Sequence, residues 1–170
     1  MNPKVSWILY SLILLGLSSL SCRQKAQVIL TSGTIIPLHF KGKDGKVVLN
    51  TELALTRSAH RVGLMKRTNE NFPYDRGMLF VFEKKKMQSF WMKNTILPLS
   101  IAFIDEKGVI FQIEHMKPHD LKSTKSVKES YYVLETHKGW FQDHGIEVGA
   151  KIENFNDHVG ALKRAVKNQK

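Results

Sequence analysis

Cysteine is almost absent from this chain, which has one among its 170 residues, Cys22. A single thiol excludes a structural disulfide within one chain. The chain also lacks a sequence repeat and any linker long enough to divide it. About 148 residues follow Cys22, a length that fits one domain with an apolar core of its own.

The short motifs of common enzymes are missing as well. The sequence has no Gly-x-Ser-x-Gly nucleophile elbow, no His-Glu-x-x-His zinc helix and no glycine-rich phosphate loop. Its serines and histidines show no spacing that favours a catalytic triad, and the acidic pair Asp105-Glu106 lies in a predicted turn. The sequence therefore assigns no catalytic residue, and we expect no cofactor.

What the sequence does contain is a pattern typical of an export signal. A short start with Lys4 precedes the apolar stretch Val5–Leu20, and small residues lead to Cys22. A lone cysteine at this point indicates a bacterial lipobox, in which the thiol is acylated, although Ser19 stands where leucine is usual. The alternatives are a cleaved soluble product and an uncleaved anchor, which needs at least about 17 apolar residues. All three interpretations predict a domain at the cell envelope, outside the cytoplasm.

Charge is strongly one-sided, with 26 basic and 15 acidic residues and a net charge of +11. In the cytoplasm this excess would indicate nucleic acid binding, but export argues against that partner. We expect the basic surface to lie against anionic lipid head groups, wall polymers or an acidic partner. The protein is expected to be a monomer held at the membrane by its lipid.

The hydrophobic pattern predicts a domain made mainly of strands. Runs rich in β-branched and aromatic residues alternate with glycine-containing turns at 42–46 and 105–108. Thr56 can cap one short helix, and residues 137–144 can form another. We therefore predict a mostly β (α+β) fold, a compact antiparallel barrel-like sheet with two short helices. Strands are expected at 27–40, 47–55, 77–82, 88–94, 99–104, 109–115, 131–136 and 146–155, with a charged turn at 83–86.

These features divide the chain into four predicted parts. Residues 1–22 form a lipoprotein signal that ends at the lipidated cysteine, and residues 23–27 form a polar tether. Residues 28–156 form a single globular β-rich domain, and 157–170 a polar C-terminal tail, whose mildly amphipathic pattern allows a frayed terminal helix. The core of the domain is expected to include Phe80, Phe82, Phe90, Phe103 and Ile104.

A central block of motifs is more specific than the strand pattern. It has a Phe-Trp-Met-Lys-Asn-Thr run at 90–95, a Gly-Leu-Met-x-Arg run at 63–67 and a Val-Leu-Glu run at 133–135. Together these runs resemble the family known as domain of unknown function 192, found in bacteria and archaea, across residues 27–155. The resemblance implies a compact, mostly β domain that is often exported, and it implies no activity.

One position departs from the family pattern. Family members usually have an aspartate directly after the Pro-Leu pair at 98–99, where this chain has Ser100. If that carboxylate bound a ligand, this chain has lost the contact, whereas a role in a cap or turn would tolerate serine.

Trp91 and Lys93 are the first candidate ligand-binding residues. In a strand over 88–94 they share one face, while Phe90 and Met92 enter the core on the other. An aromatic ring beside an ammonium group can then bound a ligand cleft. The alternative is that Trp91 covers a second small core while Lys93 extends into solvent.

Arg61, Arg67 and Asn94 complete the candidate ligand-binding set. The two arginines can grip an anion through paired N–H donors, or they can form salt bridges with Asp75 or Glu135. Asn94 can contact the ligand, or it can fix a turn through side-chain hydrogen bonds to the backbone.

These residues lead to three functional hypotheses. The first is a non-enzymatic domain that binds a ligand or partner on its basic aromatic surface. An alternative is a hydrolase or transferase acting on an anionic envelope substrate, with Lys93, Arg61 and Asp75 in its site. A second alternative is a Cu(I)-binding accessory protein, since His115, His119 and several methionines offer imidazole and thioether ligands. Methionine also fills gaps in ordinary cores, so the sequence assigns no metal site.

Overall fold

The computed structural model describes residues 29–168. The predicted signal, the tether and Cys22 lie outside the described residues. Between residues 29 and 168, no helix has the length and apolar character needed to cross a membrane.

The described chain contains eight strands and three helices. In chain order they are β1 Ile35–Gly42, β2 Gly45–Ala54, α1 Arg57–Val62, β3 Arg76–Lys86, β4 Ser89–Phe90, β5 Leu99–Ile104, β6 Ile110–Met116, β7 Thr124–Lys125, β8 Ser130–His137, α2 Trp140–Asp143 and α3 Phe155–Lys167. The predicted mostly β class is confirmed. The turns at 42–46 and 105–108 and the Thr56 cap are also confirmed, since the Thr56 hydroxyl accepts a hydrogen bond of 3.0 Å from the Ala59 N–H.

Six of the strands form one open sheet in the order β1-β2-β3-β8-β5-β6. The expected barrel closure is wrong, because β1 and β6 lie at opposite edges and closure requires the outer strands to pair. The sheet is also mixed rather than antiparallel, since β2 and β3 are parallel. A parallel pair needs a crossover, and α1 with the loop after it supplies that connection. Strands β4 and β7 pair separately.

The two faces of the sheet carry separate cores. One face packs against α2 and α3, with Tyr132, Leu134, Trp140 and Phe155 among its buried residues. The other face holds the second core, in which Phe72, Phe80, Met92, Phe103 and Val133 are buried. Alternation along β8 therefore sends even-numbered residues to the first core and odd-numbered ones to the second.

The C-terminal region differs from its prediction in one of its two parts. Residues 146–155 do not form a strand, although Lys151 makes an isolated bridge to Val109. The tail forms the terminal helix that its pattern allows, α3, which buries Leu162 and Val166 against the sheet. Apolar side chains at helical spacing give this otherwise polar helix its docking face.

The segment between β3 and β5 differs as well. The charged run 83–86 continues β3 instead of turning, since Lys86 still pairs with Ser130 after a register shift. The strand expected at 88–94 ends at Phe90, and Asn94 adopts a left-handed conformation with φ of 56°. Phe80, Phe103 and Ile104 are buried as predicted, whereas Phe82 and Phe90 are half-buried.

Candidate functional site

A cleft of about 240 Å³ opens on the face of the sheet that carries the second core. Its walls come from α1 and the turn after it, from β3, from the segment around β4 and from β8. Its lining residues include His60, Arg61, Phe80, Phe82, Lys86, Phe90, Trp91, Thr95 and Glu135. We refer to this space as the Glu135 cleft.

Glu135 is the unusual residue of the cleft. It lies in the middle of the sheet, opposite Met78 of β3 and Ile101 of β5, and it is 5% exposed. No hydrogen bond within residues 29–168 reaches its carboxyl group, and burial alone raises the pKa of Glu135 to about 8. An acidic group in this position is neutral over much of the physiological range, and it is ready to ionise when a counter-charge arrives.

Aromatic side chains form much of the wall. The Phe80 and Phe90 rings meet edge to face with centres 5.0 Å apart, and the Phe82 and Phe90 rings meet similarly at 6.4 Å. Trp91 is 48% exposed at the mouth. The cleft therefore combines aromatic walls with a few polar groups, since Gln88 and Thr95 line it beside Glu135, a common design of small-molecule sites.

The rim carries positive charge. Arg61 and Lys86 are both exposed there, and Lys86 Nζ lies 5.4 Å from the centre of the Phe82 ring. His60 is half-buried, and its Nε2 lies 2.9 Å from the Ala54 carbonyl oxygen. Burial lowers the pKa of His60, so the lasting positive charge of the rim comes from Arg61 and Lys86.

Of the predicted residues, Arg61 and Trp91 line the cleft. Lys93 is not among the lining residues, but its Nζ lies 5.3 Å from the centre of the Trp91 ring. The two side chains meet because the chain turns after Phe90, not because a strand places them on one face. The geometric reason given for this pair is therefore wrong, although the residues are neighbours.

Arg67 and Asn94 have structural contacts. Arg67 donates two hydrogen bonds, of 2.8 and 3.0 Å, to the Glu52 carboxylate, and not to Asp75 or Glu135. The Asn94 carbonyl oxygen accepts a hydrogen bond of 2.8 Å from the Lys66 N–H. This bond ties together the two sequence motifs at 63–67 and 90–95, which form adjacent walls of the cleft.

Ser100 lies on the other face of the sheet. Its hydroxyl is buried, accepts a hydrogen bond of 3.0 Å from the Gly139 N–H and lies 3.0 Å from His115 Nδ1. The contact to Gly139 holds the turn that leads into α2. The departure from the family's usual aspartate therefore acts on this turn and not on the Glu135 cleft.

A smaller cavity of about 220 Å³ lies beside β6. Met92, His115, Met116 and Asp120 are among its lining residues, and both methionines are almost fully buried. Among residues 29–168, no group of three or more histidine, cysteine or acidic side chains is placed to hold a metal ion. The cavity can offer two thioethers, whereas the His115 ring contacts the Ser100 hydroxyl on the opposite face of the sheet.

Sequence reasoning missed Glu135 as the centre of the site and treated it only as a salt-bridge partner. The sequence did contain an indication of this role, because Glu135 directly follows the apolar run Tyr132–Leu134 within a central strand. An acidic residue at a core-facing position is rarely buried without a reason.

Comparisons with known proteins find a matching family and solved structures of similar fold. The DUF192 family, described as Uncharacterized ACR, matches residues 39–154. A Sinorhizobium meliloti 1021 protein, whose name proposes a transcription regulator, is 33% identical with a TM-score of 0.65, covering 72% of this chain and 95% of that one. A Novosphingobium aromaticivorans DSM 12444 protein of unknown function is 32% identical with a TM-score of 0.65, covering 70% and 84%. No curated protein matches the chain.

Proposed function

The chain belongs to the DUF192 family, and from this premise we propose that it is an exported, lipid-anchored domain that binds a small ligand in the Glu135 cleft. The ligand carries an anionic group, which Arg61 and Lys86 hold at the rim. The observation that carries the proposal is the buried Glu135 carboxyl, which has no hydrogen-bond partner in the described chain. The Glu135 oxygens are not among the fully enclosed unpaired polar atoms of residues 29–168, so they are open to the cleft and a ligand can reach them.

The positive charges at the rim of the cleft are the reason for proposing an anionic group on the ligand. Arg61 and Lys86 are exposed at the cleft mouth, and Lys93 adds a third positive charge beside Trp91. Arginine can bind a carboxylate or phosphate with two parallel hydrogen bonds. Arg67 is already paired with Glu52, so it is not part of the proposed binding set.

The envelope location rests on the N-terminal sequence. An apolar stretch ends in small residues at Cys22, and the polar run that follows provides a short tether. The basic domain would then lie beside anionic head groups. This location argues against extending the regulator name of the Sinorhizobium protein to this chain.

The test is recovery of small molecules from an envelope extract. Full-length protein in detergent is immobilised, incubated with the extract and washed, and the eluted molecules are identified by mass spectrometry. We expect Arg61→Ala and Lys93→Ala to recover less ligand than wild type without melting earlier, and high salt to reduce recovery. Arg164→Ala, on the exposed face of α3, is the matched control. Early melting with unchanged recovery per folded molecule would make Arg61 and Lys93 structural.

The enzyme alternative has less support. Its three residues, Arg61, Lys93 and Asp75, are not brought together, because only Arg61 is among the lining residues of the cleft. Glu135 is a buried acid of raised pKa, a property shared by catalytic acids and by ligand-binding carboxyls. The cleft therefore favours binding over the predicted catalytic set.

Cu(I) binding stays a second candidate because Met92 and Met116 line one cavity. Thioethers are soft ligands that suit Cu(I). The test is competition for Cu(I) with a chromophoric chelator. Loss of copper binding in Met116→Leu and its retention in Met87→Leu, an exposed methionine outside this cavity, would support it. Equal behaviour of the two variants would show that Met116 only packs.

A further inference from the structure

From the Glu135 cleft we infer the class of ligand: a small zwitterion that carries a primary ammonium group and an anionic group a few atoms apart. The ammonium binds the Glu135 carboxylate inside the cleft, and the anionic group binds Arg61 and Lys86 at the rim. This inference rests on the proposed function and adds that the ligand also carries a positive charge.

The interior of the cleft offers a carboxyl group that can accept hydrogen bonds from a ligand. Glu135 is surrounded by apolar neighbours in the second core, and no described residue donates to it. A ligand ammonium supplies up to three N–H donors and the opposite charge together. An ion pair made inside a site of low polarity is stronger than the same pair in water, provided that its hydrogen bonds are complete.

The aromatic walls favour a cation as well. Phe80, Phe82, Phe90 and Trp91 line the same space as the carboxyl group. Aromatic ring faces attract cations within about 6 Å of the ring centre. Lys86 and Lys93 already show this contact at Phe82 and Trp91, with distances of 5.4 and 5.3 Å.

The rim excludes a ligand that is only a cation. Such a ligand would have to pass Arg61 and Lys86, and like charges there would oppose its entry. An anionic group on the same molecule removes this repulsion and pairs with the rim. The zwitterion therefore matches both ends of the cleft, whereas a simple amine or a simple acid matches one.

The volume limits the size of the ligand. A cavity of about 240 Å³ lies below the ~300–1,000 Å³ of pockets for drug-sized ligands. A free amino acid or a phosphoethanolamine head group has the required charges at this scale. The two sources share one chemistry, and separate probes distinguish them.

The test is calorimetric titration of the full-length protein in detergent at pH 7. The probes are L-phenylalanine, O-phosphoethanolamine and, as a probe without the ammonium charge, N-acetyl-L-phenylalanine. We expect at least one zwitterion to bind at least about tenfold more tightly than N-acetyl-L-phenylalanine, since a charge-assisted hydrogen bond is lost in the latter. Tighter binding of phenylalanine identifies the amino acid source, and tighter binding of phosphoethanolamine identifies the head group.

Two matched variants locate the contact. Glu135→Gln keeps the shape of the side chain and should weaken zwitterion binding at least about tenfold, whereas Glu147→Gln, at an exposed position, should leave it unchanged. Binding should also release about one proton, because Glu135 must ionise to pair with the ammonium. Titration in two buffers of different ionisation enthalpy measures that proton. The other titratable groups that line the cleft are His60 and Arg61 of α1 and Lys86 of β3, while His137, two residues along β8, contacts the Phe72 carbonyl oxygen. His60→Gln measures the contribution of His60.

Three results would overturn the inference. They are binding of N-acetyl-L-phenylalanine as tight as that of the better zwitterion, zwitterion binding that Glu135→Gln does not change, and no binding of either zwitterion at millimolar concentration. Equal binding that still depends on Arg61 would leave the proposed function intact, because an anion would still be held at the rim. The recovery experiment tests that function independently of the ammonium group.

Discussion

Replacing Glu135 by glutamine should change how the stability of the fold depends on pH. Burial raises the pKa of Glu135 from 4.5 to about 8. Between these values the unfolded carboxyl has lost its proton and the folded one keeps it, so the unfolded state binds fewer protons and stability falls as pH rises. Each pH unit corresponds to about 1.4 kcal/mol. At pH 7 the wild-type fold should therefore have lost about 3 kcal/mol that Glu135→Gln retains.

The assay is urea unfolding of both proteins at pH 4, 5.5 and 7. At pH 4 the wild-type carboxyl is mostly neutral in both states, so the two free energies of unfolding should agree within about 1 kcal/mol. The difference should grow to about 3 kcal/mol at pH 7, with Glu135→Gln the more stable protein. His60 has a lowered pKa and adds stability with rising pH, but it does so equally in both proteins and cancels in the difference. Glu147→Gln should follow wild type, and a constant difference between wild type and Glu135→Gln would refute a buried, unpaired carboxyl.

Three further predictions concern packing, the arginines and the anchor. Phe103→Ala should lower the free energy of unfolding by about 3–5 kcal/mol, and Phe90→Ala by less, since Phe103 is fully buried and Phe90 half-buried; equal losses in urea melts would contradict this packing. Arg67→Ala should destabilise the fold by about 1 kcal/mol through loss of its contact with Glu52, whereas Arg61→Ala should melt like wild type and lose ligand; the reverse pattern would exchange their roles. Cys22→Ala should abolish labelling by a fatty-acid analogue, and equal labelling of wild type and variant would exclude lipidation at this cysteine.

Local features of this fold were predictable because their causes are local. The turns at 42–46 and 105–108 contain glycine where the chain must reverse, and Thr56 caps a helix through its own hydroxyl group. The buried strands around Phe80 and Phe103 were predictable from continuous apolar runs. The mostly β class follows from these elements without knowledge of the long-range pairing.

The open, mixed sheet was not predictable in the same way. The parallel pairing of β2 with β3 depends on where the crossover through α1 places β3. No short sequence pattern predicts the direction in which two strands pair. The end of β4 at Phe90 depends on distant backbone contacts, since the Met92 N–H donates to the Asp120 carbonyl oxygen at 2.8 Å. An alternating run can thus satisfy a strand pattern and still turn.

The site was predictable only in part. Arg61 and Trp91 were found because they belong to specific motifs, and both line the cleft. Glu135 was missed because its importance lies in what surrounds it, namely the second core and the absence of a hydrogen-bond partner among the described residues. For Arg67 the sequence left a ligand contact and a salt bridge as alternatives, because its partner Glu52 lies 15 residues earlier, on β2.

The central claim is that the Glu135 cleft is the ligand site, and a crystal structure tests it most directly. Crystals of the full-length protein are soaked with small molecules from an envelope extract, and the density is compared with that of unsoaked crystals. The account predicts new density inside the cleft, within hydrogen-bond distance of the Glu135 carboxyl and extending towards Arg61. New density elsewhere, such as beside Met116 or on the loop 117–128, with the cleft unchanged, would contradict it.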